Sequence, residues 1–131
     1  MSQIEPDMRH AVPADDIAVS VRNVSKTYGD VQALKDLTLD FPRGQLTSLL
    51  GPSGCGKTTL LKIIAGLLPA NSGQILVNGQ TVAGPGPDRA FVFQDFALLP
   101  WATVIRNVAF GLELRGLARS EREAIAEQYI R

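Results

Sequence analysis

"LLGPSGCGKTTLLKIIAGLLP", residues 49–69, sets an apolar run, a glycine-rich turn and a second apolar run in direct succession. Within it, Gly51-Pro52-Ser53-Gly54-Cys55-Gly56-Lys57-Thr58 fits G-x-x-x-x-G-K-[ST], which binds phosphate when it joins a strand to a helix. That context is predicted here. "LTSLL" (46–50) reads as a short buried parallel strand. From Lys57 to Leu68 the apolar residues go nearly all round, as in a helix buried on most sides, and Pro69 is expected to stop it. The chemistry accounts for the residue types. Glycines let backbone N–H groups wrap closely around phosphate oxygens, and the helix adds its positive N-terminal end. Lys57 is placed to reach the β- and γ-phosphates and Thr58 to ligate Mg²⁺. Thr59 can add a contact to the α-phosphate. A plain glycine turn is the bland alternative.

Outward from this stretch, Met1 to Asp16 mixes Pro6, Pro13 and charges and reads as a flexible tail. Residues 17–131 are expected to form one partial domain. "IAVSVRNV" alternates with Ile17, Val19 and Val21 on one side, as does "LTLDF" (37–41), so two half-buried strands are predicted. "NSGQ" (71–74) reads as a turn into a strand "ILVN", and Asn78-Gly79 as a tight turn. "VAGPGPD" (82–88) is a loop and "AFVF" (90–93) another short buried strand. Val104, Val108 and Leu112 give 104–114 a helical spacing, and Ser120 with Glu123 reads as a capping box opening a last helix. That helix runs to Arg131 in mid-pattern, so the chain reads as a truncated one.

A chain of 131 residues suits one domain with a moderate core. Thirteen basic and thirteen acidic side chains cancel and are scattered, which argues against nucleic acid as a partner. No stretch has the composition of a signal peptide or a membrane span. The only cysteine, Cys55, cannot form an internal disulfide, which fits a reducing cytosol. It reads either as a small residue in a tight loop or as a thiol made reactive by the helix N-terminus.

With the phosphate loop in hand, the sequence "VSKTYGDVQALKDLTLDFPRGQLTSLLGPSGCGKTTLLKIIAGLLPANSGQI" resembles the N-terminal half of the ATP-binding subunit of an ABC transporter. The resemblance runs from about residue 17 to residue 131. It implies an α/β fold: a P-loop NTPase core, an N-terminal antiparallel β portion and the start of a helical subdomain. It also implies ATP and Mg²⁺ as ligands, and it assigns roles. Tyr28, in "KTYGD", matches an aromatic that stacks on adenine, where the residue alone reads as a strand-end tyrosine on the core. Gln94, in "VFQD", matches the glutamine loop, which contacts Mg²⁺ and the attacking water and senses the membrane subunit. Only 37 positions separate Lys57 from Gln94, a compactness similar to transporter subunits rather than to DNA-repair relatives.

Phe96, Leu98, Leu99, Pro100 and Trp101 crowd a turn-like stretch. They either cover the core or form a docking surface for a short helix of a membrane subunit, and the resemblance favours docking. "LLPW", "NVAFGLELRG" and "GPGPDRAFVFQD" are similar to the nitrate/sulfonate/taurine importer branch. The partners so implied are permease subunits, a second copy of the ATP-binding subunit and, indirectly, a substrate-binding protein. The implied location is the cytoplasmic face of the inner membrane.

Parts that such ATPases need for hydrolysis are not found. "NSGQ" is not an L-S-G-G-Q signature, because it directly follows the phosphate-loop helix. No apolar strand ends in Asp-Glu, and the only histidine, His10, lies in the tail. Glu113, Glu121, Glu123 and Glu127 read as solvated helix faces. The chain alone is therefore expected to fold incompletely and not to turn over ATP, nucleotide binding being expected of the intact domain. The alternatives are a nucleotide-binding half-protein or remnant without turnover, and a soluble P-loop enzyme such as a kinase, for which no acceptor site is visible.

Overall fold

Residues 13–131 are described here by a computed structural model; the first twelve residues of the expected tail lie outside the described residues. Ala14–Asp16 forms a 3-10 turn whose end is tied down, Asp16 O accepting from Arg43 N at 2.7 Å. Contacts divide the chain into two units that meet between Phe91 and Val92 in sequence.

In the first unit, β1 (Ile17–Tyr28) and β2 (Val31–Pro42) form a long hairpin. β3 (Ser72–Val77) and β4 (Gln80–Thr81) complete an antiparallel sheet in the order β2-β1-β3-β4. The alternation that marks β1 changes phase once. Val21 is buried, and after a register shift so are Val24 and Lys26. Asn23, at φ 50, sits in that shift and turns the strand by one residue; asparagine tolerates the left-handed region better than most residues. Its Nδ2 donates to Asp36 Oδ1 at 2.9 Å, and its backbone N–H donates to Thr38 Oγ1 at 3.0 Å. The bulge is thus stitched to β2.

The core joins the sheet to one helix. Val21, Val24, Leu34, Ile75 and Val77 pack with Leu60 and Ile63 of α1 (Lys57–Ile64). At about 25 cal/mol per Å² of apolar surface, burial of such side chains is the main driving force available to a domain this small. Pro69 is not what ends α1, contrary to expectation. Gly66 adopts φ +76, Leu67 N donates to Lys62 O at 2.9 Å and Gly66 N to Ile63 O at 3.0 Å. This is a Schellman end, which satisfies the last carbonyls before the proline is reached. A side chain at Gly66 would overlap the Gly84 carbonyl, so the stop also lets the loop lie close.

Two expected strands are not formed. Residues 46–50 and 90–93 are irregular, with Leu46 97% and Val92 93% exposed. An apolar run reports a preference for burial, but a parallel strand also needs hydrogen-bonding neighbours. Among the described residues no strand of the sheet lies beside either run. "NSGQ" is likewise not a turn: β3 already begins at Ser72, and Gly73, at φ +81, packs on the backbone of Asn23 at the bulge. The Asn78-Gly79 turn is as expected, joining β3 to β4.

The second unit holds α2 (Val104–Leu114) and α3 (Arg119–Ile130). Its buried residues are the small Ala109 and Ala126, and Glu113 sits 3.5 Å from both Arg106 and Arg122. The helix expected over 104–114 forms with those bounds. Val104 and Val108 are exposed, while Ala109 is buried and Ile105 and Leu112 are half-buried. The helix has two apolar faces, and α3 covers only one. The expected capping box is also absent: the N-cap is Ala118 and makes no side-chain bond. The helix starts before Ser120, and Glu123 Oε1 accepts from Arg119 Nε at 2.8 Å.

Candidate functional site

The loop from Gly51 to Gly56 enters α1 with Gly56 as its N-cap, at φ +99. No side chain caps this end, and the first N–H groups of an α-helix have no intrahelical acceptor. The end is thereby kept open for an outside anion. Glycine at 56 is dictated twice. The positive φ strains any side chain, and a Cβ would lie 2.6 Å from Ala33 O and 2.8 Å from Leu34 Cδ2. The loop is therefore seated on the start of β2.

Lys57 is folded back into the loop. Its Nζ donates to Gly51 O at 2.6 Å, to Pro52 O at 2.8 Å and to Cys55 Sγ at 3.4 Å. Two of these partners are backbone carbonyls, and among the described residues no carboxylate pairs with it. A half-buried ammonium ringed by carbonyl oxygens and lacking a counter-charge fits an anionic ligand. Thr58 is exposed and Thr59 half-buried behind it. Ser53 and Gly54 form the exposed rim of the loop. The Cys55 sulfur packs over Gly51, where a Cβ would come within 2.8 Å of it. The residues present thus suit a triphosphate: a backbone cradle, a cation held at the loop and the exposed Thr58 hydroxyl.

Tyr28 belongs to the same unit. It closes β1 opposite Val31, at the hairpin end whose Ala33 and Leu34 touch Gly56. Its ring is about half exposed, and Lys26 Nζ lies 5.5 Å from the ring centroid. Lys26 in turn donates to Pro69 O at 2.7 Å, binding the hairpin to the stretch after α1. Tyr28 is therefore not a core residue: its ring is half exposed, with the Lys26 ammonium over it.

Gln94 and the apolar cluster lie in the second unit. Gln94 is exposed at a bend. Phe96 (94% exposed), Leu98 and Trp101 (75%) face outward, whereas Leu99 is half-buried. Leu99-Pro100-Trp101-Ala102 is a β-turn closed by Ala102 N to Leu99 O at 3.1 Å. Proline at its second position pre-sets the backbone, and Trp101 stands next to it at the tip. A cavity of about 510 Å³ opens between Trp101 and α2 and α3.

Sequence reasoning missed Asn107. Its side chain accepts from Leu99 N at 2.8 Å and donates to Leu99 O, Ala102 O and Thr103 O at 3.2, 3.2 and 3.0 Å. An asparagine one turn into a helix, just after a proline turn, was the available signal.

Among the described residues no helix is long and apolar enough to cross a membrane. The chain is 44% identical over 119 residues to an uncharacterised ABC transporter ATP-binding protein of Methanocaldococcus jannaschii, covering 88% of this chain and 45% of that protein. It is 45% identical over 113 residues to the taurine import ATP-binding protein of Escherichia coli, covering 86% of this chain and 44% of the relative. The chain thus spans less than half the length of the curated relatives it matches. Among solved structures it resembles a dimeric ATP-binding cassette in a post-hydrolysis state bound to ADP and Pi. The TM-score there is 0.74 at 32% identity, over 84% of this chain and 54% of that one. A dimeric bacterial ABC transporter cassette gives 0.72 at 31% identity, over 81% and 53%. The fold is that of part of such a cassette. The ABC transporter family itself matches residues 34–131, from the strand that supports Gly56 to the end of α3, and the chain belongs to that family.

Proposed function

We propose that the chain is the nucleotide-gripping portion of the ATP-binding, energy-coupling subunit of an ABC importer of the nitrate/sulfonate/taurine type. The observation that carries this reading is the phosphate loop: an uncapped helix end, a Gly56 seated on β2 and a Lys57 ammonium held by backbone carbonyls, with no carboxylate partner among the described residues. The taurine import relative supports the branch.

In this reading Gly51, Pro52, Ser53, Gly54, Cys55 and Gly56 supply the backbone cradle, and Lys57 turns from its own carbonyls to the β- and γ-phosphates. Thr59 borders the α-phosphate, and Tyr28 offers its ring to adenine. Thr58 would ligate Mg²⁺ beside the phosphate loop, and Gln94 keeps the Mg²⁺ contact that its resemblance to the glutamine loop assigns it. Phosphoryl transfer then depends on positioning and charge stabilisation, which is the part these residues contribute. The dimeric cassettes that the chain resembles support a second copy as a partner. Phe96, Leu98, Leu99, Pro100 and Trp101 dock a permease subunit, and a substrate-binding protein acts further upstream. The subunit works at the cytoplasmic face of the membrane. Residues 17–131 form part of one domain, and the 131-residue chain by itself lacks a signature serine, a catalytic glutamate and a switch histidine.

A direct test compares the 131-residue chain with the full-length subunit in a fluorescent-ATP titration and a phosphate-release assay. Lys57-dependent binding together with hydrolysis confined to the full-length subunit is expected. Robust Lys57-dependent hydrolysis by the 131-residue chain overturns the division of labour proposed here.

A further inference from the structure

The docking segment owes its shape to one amide. We infer that Asn107 is a positioning residue for permease coupling, fixing the Leu99–Thr103 turn so that Trp101 is presented in advance of contact; this rests on the docking reading proposed above. The geometry requires both halves of the amide. Oδ1 accepts the Leu99 N–H at 2.8 Å, and the two N–H bonds of Nδ2 are shared among the carbonyls of Leu99, Ala102 and Thr103. The side chain thus binds both the N–H and the C=O of Leu99, the first residue of the proline turn, and also the last residue before α2.

Among the described residues the other hydrogen bonds of the segment are Ala102 N to Leu99 O within the turn and, where α2 begins, Asn107 N to Thr103 O and Arg106 N to Thr103 Oγ1, and Trp101 at the tip is largely exposed. A turn whose tip is exposed relies on hydrogen bonds for much of its order. Ordering it beforehand removes an entropy cost from association. Asn107 itself is partly buried beneath the turn, so its contribution to docking acts through the presentation of Trp101. Aspartate keeps the acceptor but loses every donated bond, and leucine loses both.

The test uses the full-length subunit co-expressed with its own permease subunits. Complex recovery and fluorescent-ATP affinity are measured for Asn107→Asp, Asn107→Leu, Thr103→Ala and Trp101→Ala. Thr103→Ala serves as the structural control: Thr103 Oγ1 caps α2 by accepting from Arg106 N, so its loss weakens the helix while leaving the Asn107 clamp in place. The expected result is a loss of complex of about tenfold for both Asn107 variants, a scale set by ordering one turn. ATP affinity stays within about twofold, and Thr103→Ala assembles normally despite a lower melting temperature. Asn107 variants that assemble like wild type while Trp101→Ala does not overturn the inference alone. Asn107 and Thr103 variants impaired alike reduce Asn107 to a helix-stability role and overturn it too. Normal assembly of Trp101→Ala removes the docking reading itself.

Discussion

The Lys57 ammonium and the Gly51 carbonyl lie 2.6 Å apart, so the cation of the phosphate loop is held by the loop's own first residue. This contact is charge-assisted and competes with any incoming phosphate. It also keeps the ammonium half-buried near where phosphate oxygens would lie. The exchange favours the ligand because a phosphate brings formal charge and the carbonyls bring only dipoles.

Lys57→Met is therefore expected to weaken fluorescent-ATP binding by the full-length subunit at least about tenfold, as loss of a charge-assisted contact implies. The fold should remain, since Lys57 is outside the core cluster. Unchanged affinity in a folded variant would remove Lys57 from the site.

Two glycines of the loop separate strain from contact. Gly54 has φ +79 with open space where a Cβ would stand, whereas Gly56 adds a clash with Ala33 O and Leu34 to φ +99. Gly54→Ala should cost about 1 kcal/mol of stability from backbone strain alone. Gly56→Ala should cost more, about 2–4 kcal/mol, because β2 must also give way. Urea denaturation of the full-length subunit measures both, and equal losses would mean that the loop is not seated on β2.

How much of this was legible in the sequence depends on how local each cause is. The turn from the glycine loop into α1 was readable, because Gly54 and Gly56 act within a few residues of the helix start, whereas the strand expected before the loop did not form. The Asn78-Gly79 hairpin was readable for the same reason. The strands at 46–50 and 90–93 were misread, because pairing is supplied by other segments and an apolar pattern cannot say whether they are present. The cap of α3 was misread because two starts compete. Ser120 and Glu123 have the spacing of a capping box, yet Arg119 captures Glu123 and the helix opens at Ala118. Asn107 was missed because its four bonds reach back four to eight residues, to Leu99, Ala102 and Thr103 across a proline turn.

Asp40 links the outer strand to β1 and makes the sheet acid-sensitive. Partial burial by itself would raise its carboxyl pKa, but bonds from Arg22 and Ser20 outweigh that and hold it below the ordinary value of 3.8. The Arg22 Nη1 to Asp40 Oδ1 distance is 2.6 Å and the Ser20 Oγ distance 2.8 Å. A depressed folded pKa means that the stabilisation is fully present above the unfolded pKa. It is lost as pH falls through the folded one, so the loss falls below about pH 4. Both side chains are about one-third exposed, and screening limits the contribution to under about 1 kcal/mol. Asp40→Asn should lower stability slightly at pH 7 and flatten the acid limb, as read from melting temperatures between pH 3 and 7. An unchanged acid limb would place the sensitivity elsewhere.

The start of α3 offers the sharpest contrast between pattern and structure. If the helix opened at Ser120 through a capping box, Ser120→Ala would remove a cap and cost about 1 kcal/mol. With Ala118 as the N-cap at φ −60 and ψ 148, Ser120 is already inside the helix and makes no capping bond. Ser120→Ala should then be neutral or slightly stabilising, because alanine is the better helix former. Ala118→Asp should stabilise by about 0.5–1 kcal/mol, since a carboxylate there can accept from the first-turn N–H groups and complement the helix dipole. Glu123 stays occupied by Arg119 in both variants, so the two effects should add. Denaturation midpoints of the single and double variants decide the matter: a loss on Ser120→Ala with no gain on Ala118→Asp would restore the capping box and move the helix start two residues along the chain.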